Sequence, residues 1–181
     1  MRRRNSSSAG VAVLAALAAC SPVFNWRDVP LGDGLLALLP CKPDRAQRDV
    51  DLAGRTVSLE MAGCAAGDAT FAVARMDGGS SPAEAQQRME AWRASARAPW
   101  RARGQVQETP GRVPGAAQVP ASVDLVADGD TGSSTGVQQA SMRWFARADG
   151  AGRYTLYQAT VLGRPSDAQA LETFWEGLRL R

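Results

Sequence analysis

The sequence predicts an α+β domain, an antiparallel β-sheet flanked by two helices, and three observations carry that prediction. Strand-like stretches come in adjacent pairs joined by tight-turn dipeptides: 45–52 with 55–62 across Ala53-Gly54, and the two long stretches either side of Asp149-Gly150. Two other segments, 80–98 and the stretch opened by Pro165-Ser166, combine helix-start chemistry with apolar residues at helical spacing. The resulting order, strands, helix, strands, helix, favours antiparallel pairing with helices layered on the sheet over a parallel α/β core. No internal repeat is evident.

At the N-terminus, arginines 2 to 4 precede a short polar spacer and then AGVAVLAALAA, eleven small or apolar residues ending at Cys20. A charged n-region, an apolar h-region and a small-residue cleavage site make up a secretory signal. As a helix the apolar run is about 16 Å long, half of the ~30 Å hydrocarbon core, too short for a stable span. Leu17, Ala18, Ala19 and Cys20 resemble the lipobox of bacterial lipoproteins. That resemblance implies cleavage before Cys20, a thioether-linked diacylglyceryl group on Cys20 and acylation of the new amine by a palmitate-type chain. Two lipid signals give stable anchoring, and three chains make it effectively permanent. Ser21 is not the aspartate that the enteric sorting rule reads as inner-membrane retention, so the implied address is the outer membrane, facing the periplasm, of a Gram-negative envelope. The other reading is an ordinary signal peptide followed by a chance cysteine. The chain then divides into a signal peptide, 1–19, a lipidated tether, 20–34, and a single α+β domain, 35–181.

Removing the signal changes the electrostatics. Without the three leading arginines the 21 basic residues fall to 18, which equals the 18 acidic ones, so the mature chain carries no formal net charge. A basic, aromatic-interleaved stripe for nucleic acid is not supported. The 162 mature residues suit one domain burying about 70% of its unfolded surface. Histidine is absent, which removes Ser-His-Asp and Cys-His catalysis, His-ligated zinc and the commonest general base together.

The tether holds an aromatic pair, Phe24 and Trp26, and reads as an edge segment against the domain. LLALLP at 35–40 is a short apolar strand closed by Pro40. In 55–62, Val57, Leu59 and Met61 alternate with Thr56, Ser58 and Glu60, the period-two signature of a half-buried strand. TFAVARM at 70–76 supplies the next strand. Helix 80–98 begins with Ser81 as N-cap, Pro82 at the first position and Glu84 completing a capping box; Ala85, Met89, Trp92 and Ala96 form its apolar stripe. Residues 99–121, rich in proline and glycine, read as an irregular connection with one short strand near 105–109, and SVDLVAD at 122–128 as another strand. In the last hairpin Ala140, Met142, Trp144 and Ala146 share one face. The second helix is expected to start with Ser166 and Gln169 as a capping box and to bury Ala168, Leu171, Phe174, Trp175 and Leu178.

With Cys20 assigned to lipid, Cys41 and Cys64 remain as an even pair in an oxidising compartment. A hairpin centred on Ala53-Gly54 opposes residues whose numbers sum to about 107, and these two sum to 105, so a structural disulfide is predicted at the open end of the hairpin. A redox dithiol is the sharper alternative, but the spacing is far from the C-x-x-C that poises exchange. Asp128 and Asp130 in DGDTG occupy the first and third positions of a calcium-loop pattern, yet Gly132 stands at the next ligand position and no closing glutamate follows, so an interstrand loop is expected and no metal site. Lys42, in PCKPD, reads as exposed rather than as a catalytic lysine. No catalytic residue, metal ligand or cofactor-binding residue is assigned.

The LLPCKP segment ending at Pro43, the strand YTLYQATVLG at 154–163 and the closing helix ETFWEGLRL at 172–180 resemble small bacterial envelope lipoproteins and, more distantly, the PsbP/Mog1/DcrB-like α/β sandwich. The resemblance implies an antiparallel sheet flanked by helices with a binding or assembly role and no shared active site. The leading expectation is a membrane-anchored, non-enzymatic domain that binds or supports an envelope protein. The alternative is a carboxylate-dependent cell-wall hydrolase, and a redox role through Cys41 and Cys64 is a third.

Overall fold

The computed structural model describes residues 23–32, 34–101, 104–129 and 139–181. The chain is mostly antiparallel β-sheet with two helices. In order it forms β1 (Arg27–Leu31), β2 (Leu35–Leu39), β3 (Asp44–Leu52), β4 (Arg55–Ala66), β5 (Ala69–Gly79), α1 (Pro82–Arg101), β6 (Gly104–Pro110), β7 (Val123–Gly129), β8 (Gln139–Ala148), β9 (Tyr154–Gly163), α2 (Gln169–Glu176) and β10 (Arg179–Leu180). The strands divide into two sheets, a seven-stranded one ordered β3-β4-β5-β9-β8-β7-β6 and a three-stranded one ordered β1-β2-β10.

Strand alternation gives the large sheet two apolar faces, and each is covered differently. Phe71, Val73, Phe145, Tyr157, Ala159 and Val161 face one side, where they pack against Val29, Leu31, Leu35, Ala37 and Leu39 of the small sheet and against Ala170, Phe174 and Leu178 around α2. Leu59, Met76, Leu125, Met142, Trp144 and Leu156 face the other side and meet Ala85, Met89, Trp92 and Trp100 of α1. Burying a large apolar side chain is worth about 1.5–3 kcal/mol, so these two cores set where every loop can lie.

The first large hairpin has the expected register, running from Leu52↔Arg55 to Asp44↔Gly63. Its turn places both Ala53 (φ 54°) and Gly54 (φ 78°) in the left-handed region, the geometry that twists with the strands. Around β8 and β9 the register again closes at the Asp149-Gly150 turn, with Ala148 opposite Tyr154. Both short strands expected around the irregular connection also form, as β6 and β7.

Four features differ from the sequence reading. The single expected sheet is two sheets, the smaller one formed where residues 27–31 of the stretch read as an edge segment pair with β2 as the edge strand β1. Helix α1 runs on through Pro99 to Arg101, because Trp100 is buried in the α1-side core and the carbonyl freed by proline belongs to the exposed Ser95. Helix α2 begins at Gln169 with no side-chain cap at Ala168. Ser166 donates its backbone N–H to Gly67 O (2.6 Å), and Asp167 Oδ1 accepts from the Gln169 N–H (2.9 Å), so the expected Ser166 capping box does not form. As a result Ala168 is exposed and Ala170 takes its buried place, while Leu171 and Trp175 are half-buried. Finally, Arg179 and Leu180 leave the helical pattern and pair with Leu36 and Leu35 as β10.

Candidate functional site

Two regions at different heights on the large sheet gather side chains that packing alone does not require. The first is the end where the described chain begins. Val23 is 62% exposed, and Phe24 and Trp26 follow it, stacked with ring centroids 5.9 Å apart. Both rings stand edge-on to Phe71, at 6.4 and 6.2 Å, and Phe71 in turn meets Phe174 at 5.4 Å. The segment is fixed by the Asn25 N–H donating to Pro40 O (2.6 Å) and by the approach of Phe24 to the β4–β5 turn, where a Cβ on Gly67 would collide with it. Aromatic pairs of this geometry add about 0.5–1.5 kcal/mol beyond burial.

The same end holds the disulfide. Cys41, just past β2, is bonded to Cys64 on β4 with Cα atoms 6.0 Å apart, so the bridge staples the small sheet to the large one. Cys64 is partly buried against the same core, directly across from Phe71. The exposed Lys42 lies next to the bridge.

The second region is a polar concavity of about 330 Å³ on the small-sheet side of β3, β4, β5 and β9, lined by Gln47, Ser58, Glu60, Arg75, Asp77 and Thr155 among others. Glu60 and Arg75 are direct cross-strand partners, and Arg75 donates from Nε (2.7 Å) and Nη2 (2.6 Å) to Glu60 Oε2. Gln47 Nε2 donates to Ser58 Oγ (3.0 Å). The β1–β2 turn rests on this group: Gly32 lies so close to the Arg75 guanidinium that no Cβ fits. Arg45 Nη2 donates to Pro30 O (2.9 Å), tying β3 to the small sheet. Asp77, at the margin, is paired with Arg88 of α1.

Elsewhere, several acids are held by arginines. Glu108 bridges Arg93 (2.5 Å) and Arg97 (2.9 Å), fastening α1 to the edge strand β6. Asp124 accepts two bonds from Arg143, at 2.7 and 2.6 Å, and that guanidinium sits 4.9 Å from the Trp175 ring centroid. At the start of α1 the Ser80 backbone N–H, helped by its hydroxyl, holds the Glu84 carboxyl below the usual range, and Ser81 Oγ accepts from the Glu84 N–H (3.2 Å). Asp149 is lowered likewise, chiefly by the Arg153 backbone N–H, with the Arg153 side chain and the Ala151 N–H adding to it.

Cys20 and its lipobox lie outside the described residues, as do positions 130 and 132 of the DGDTG stretch; Asp128 is on β7. Lys42 is exposed and Cys41 is bonded to Cys64. Among the described residues no three His, Cys, Asp or Glu side chains are placed to hold a metal ion, and no helix is long and apolar enough to cross a membrane. The Glu60/Arg75 group is the feature that sequence reading missed. The alternation of β4 put Glu60 on the face opposite Leu59, but only the β4–β5 register brings Arg75 across from it. No protein-family model matches this chain, and no curated protein sequence matches it either.

Proposed function

We propose that this chain is a lipoprotein of a bacterial envelope, anchored through Cys20, whose folded domain binds or supports an envelope protein without catalysing a reaction. The observation that carries the anchor is the LAAC sequence at the end of an eleven-residue apolar run. The Cys41–Cys64 bridge supports it, because such a bond persists in oxidising compartments beyond the cytoplasm. Ser21 supports the outer membrane, periplasmic face, as the address. The resemblance to the PsbP/Mog1/DcrB-like sandwich belongs to the same reading, and the antiparallel sheet with a helix on either side is consistent with it.

The polar concavity is the binding region this reading favours. Its hydrogen-bonding groups sit on rigid strands, and Arg75, about a third exposed, carries guanidinium N–H groups beyond the two held by Glu60. Fractionation tests the anchor: the native chain sediments with membranes, and Cys20→Ala fails to acquire lipid. Photo-crosslinking from Gln47 and Thr155 in living cells tests the binding role. One recurrent envelope protein is expected at both positions, and an absence of adducts across growth conditions overturns it.

The second reading, a carboxylate-dependent cell-wall hydrolase, draws on one observation, that Glu60 and Asp77 line the same concavity. Each already has an ion-pair partner, Glu60 in Arg75 and Asp77 in Arg88. Release of soluble fragments from peptidoglycan by the native protein but not by Glu60→Gln would establish it.

A further inference from the structure

We infer that the domain is docked on the bilayer, with the end formed by Phe24, Trp26, the β4–β5 turn and the segment after β9 lying against the lipid surface. The inference rests on the Cys20 anchor proposed above and adds an orientation to it. Only residues 21 to 23 separate Cys20 from Phe24. Four residue steps reach at most ~14 Å, so Phe24 sits within that distance of a lipidated cysteine whatever path the chain takes.

Antiparallel register places several elements at this same end. β1 begins opposite the end of β2, at Arg27↔Leu39. β4 turns into β5 at Ala66↔Ala69, and β5 starts beside the end of β9, at Ala69↔Gly163. Ser166 is bonded to Gly67 in that turn. The surface that results carries what an interface accepts: the exposed Val23, the half-exposed Phe24 and Trp26 rings, and the cations Lys42 and Arg164. Aromatic rings with one apolar and one wet side partition to the headgroup level, and lysine and arginine reach anionic lipid from there. Asp44, Asp68, Asp128 and Asp167 are exposed acids at the same end. The opposite end carries Asp49, Asp51 and Arg55 at one hairpin and Asp149 and Arg153 at the other, with one partly buried ring, Tyr154, packed against the α1-side core.

The orientation fixes where a partner meets the domain. Arg75 lies six residues along β5 from Ala69, which puts the polar concavity about 20 Å above the lipid surface, open to the periplasm.

The test uses the acylated protein in vesicles of phosphatidylethanolamine and phosphatidylglycerol, 3:1, containing lipid brominated at the 6,7 positions. Trp26 is one of five tryptophans, so the native protein is expected to lose about a fifth of its emission, while Trp26→Phe, which keeps the aromatic stack, loses none. Hydrogen exchange on the same vesicles is expected to slow several-fold at 66–68 and 164–167 relative to the chain beginning at Ser21 in solution, with no change at 49–56 or 149–153. Equal quenching of native and variant protein, or slowed exchange at the hairpin ends instead, on protein whose mass shows the acylated cysteine, overturns the orientation while leaving the anchor intact. A mass without acyl chains overturns both.

Discussion

Removing the Cys41–Cys64 bridge probes how the two sheets are held together. The cysteines are 23 positions apart, closing a loop of about 24 residues that contains every pair of the β3–β4 ladder, from Leu52↔Arg55 to Asp44↔Gly63. The chain-entropy relation gives about 3 kcal/mol for such a loop. For a domain of this size each kcal/mol shifts Tm by about 2–4 °C, so the double substitution Cys41→Ala/Cys64→Ala is expected to lower Tm by about 6–12 °C. The comparison uses the chain beginning at Ser21, melted by circular dichroism and unfolded in urea. Because the cross-link restricts the unfolded chain, the urea m-value should rise when it is removed. A Tm change below about 2 °C, or free thiols in the oxidised native protein, would refute this assignment of the bridge.

The remaining predictions concern single sites. Phe174→Ala, at a fully buried ring that meets Phe71 and Trp175, should cost about 3–5 kcal/mol in urea unfolding, and a cost below about 1 kcal/mol would place α2 off the core. A double-mutant cycle of Asp124→Asn and Arg143→Met should give a coupling of about 1 kcal/mol, the range of a partly exposed bidentate pair, and zero coupling would make the pair a bystander. Ala53→Gly should raise stability by about 1 kcal/mol, since alanine at φ 54° is in the left-handed region that glycine adopts freely. Glu84 and Asp149 have folded-state pKa values below their unfolded ones, so their contribution is complete above the unfolded carboxylate range and lost as the pH falls through the folded values. Stability should therefore drop from pH 5 to pH 3, and less so in Glu84→Gln/Asp149→Asn; an identical drop in both proteins would contradict it.

Local chemistry was readable wherever one segment determined its own geometry. The Ala53-Gly54 turn set the register of β3 and β4, and that register put Cys41 near Cys64. Ser81, Pro82 and Glu84 marked the start of α1 because capping needs only neighbours, although Glu84 reaches Ser80 rather than Ser81. What escaped depends on distant partners. β1 carries Pro30 and only five residues, and it is a strand because β2 lies beside it. β10 is two residues long and pairs with β2 across nearly the whole chain, so no local pattern could separate it from the helix before it. Ser166 is a fair helix cap by type, but its N–H is taken by Gly67, a contact between two loops. The polar concavity was hidden for the same reason, since its residues come from four strands.

The anchor is tested most directly by mass spectrometry of the N-terminal peptide of the protein expressed with its full signal in a Gram-negative host. The account predicts a chain beginning at Cys20, with a diacylglyceryl thioether on the sulfur and an acyl group on the amine. An unmodified Cys20, or a chain beginning at any other residue, would contradict it.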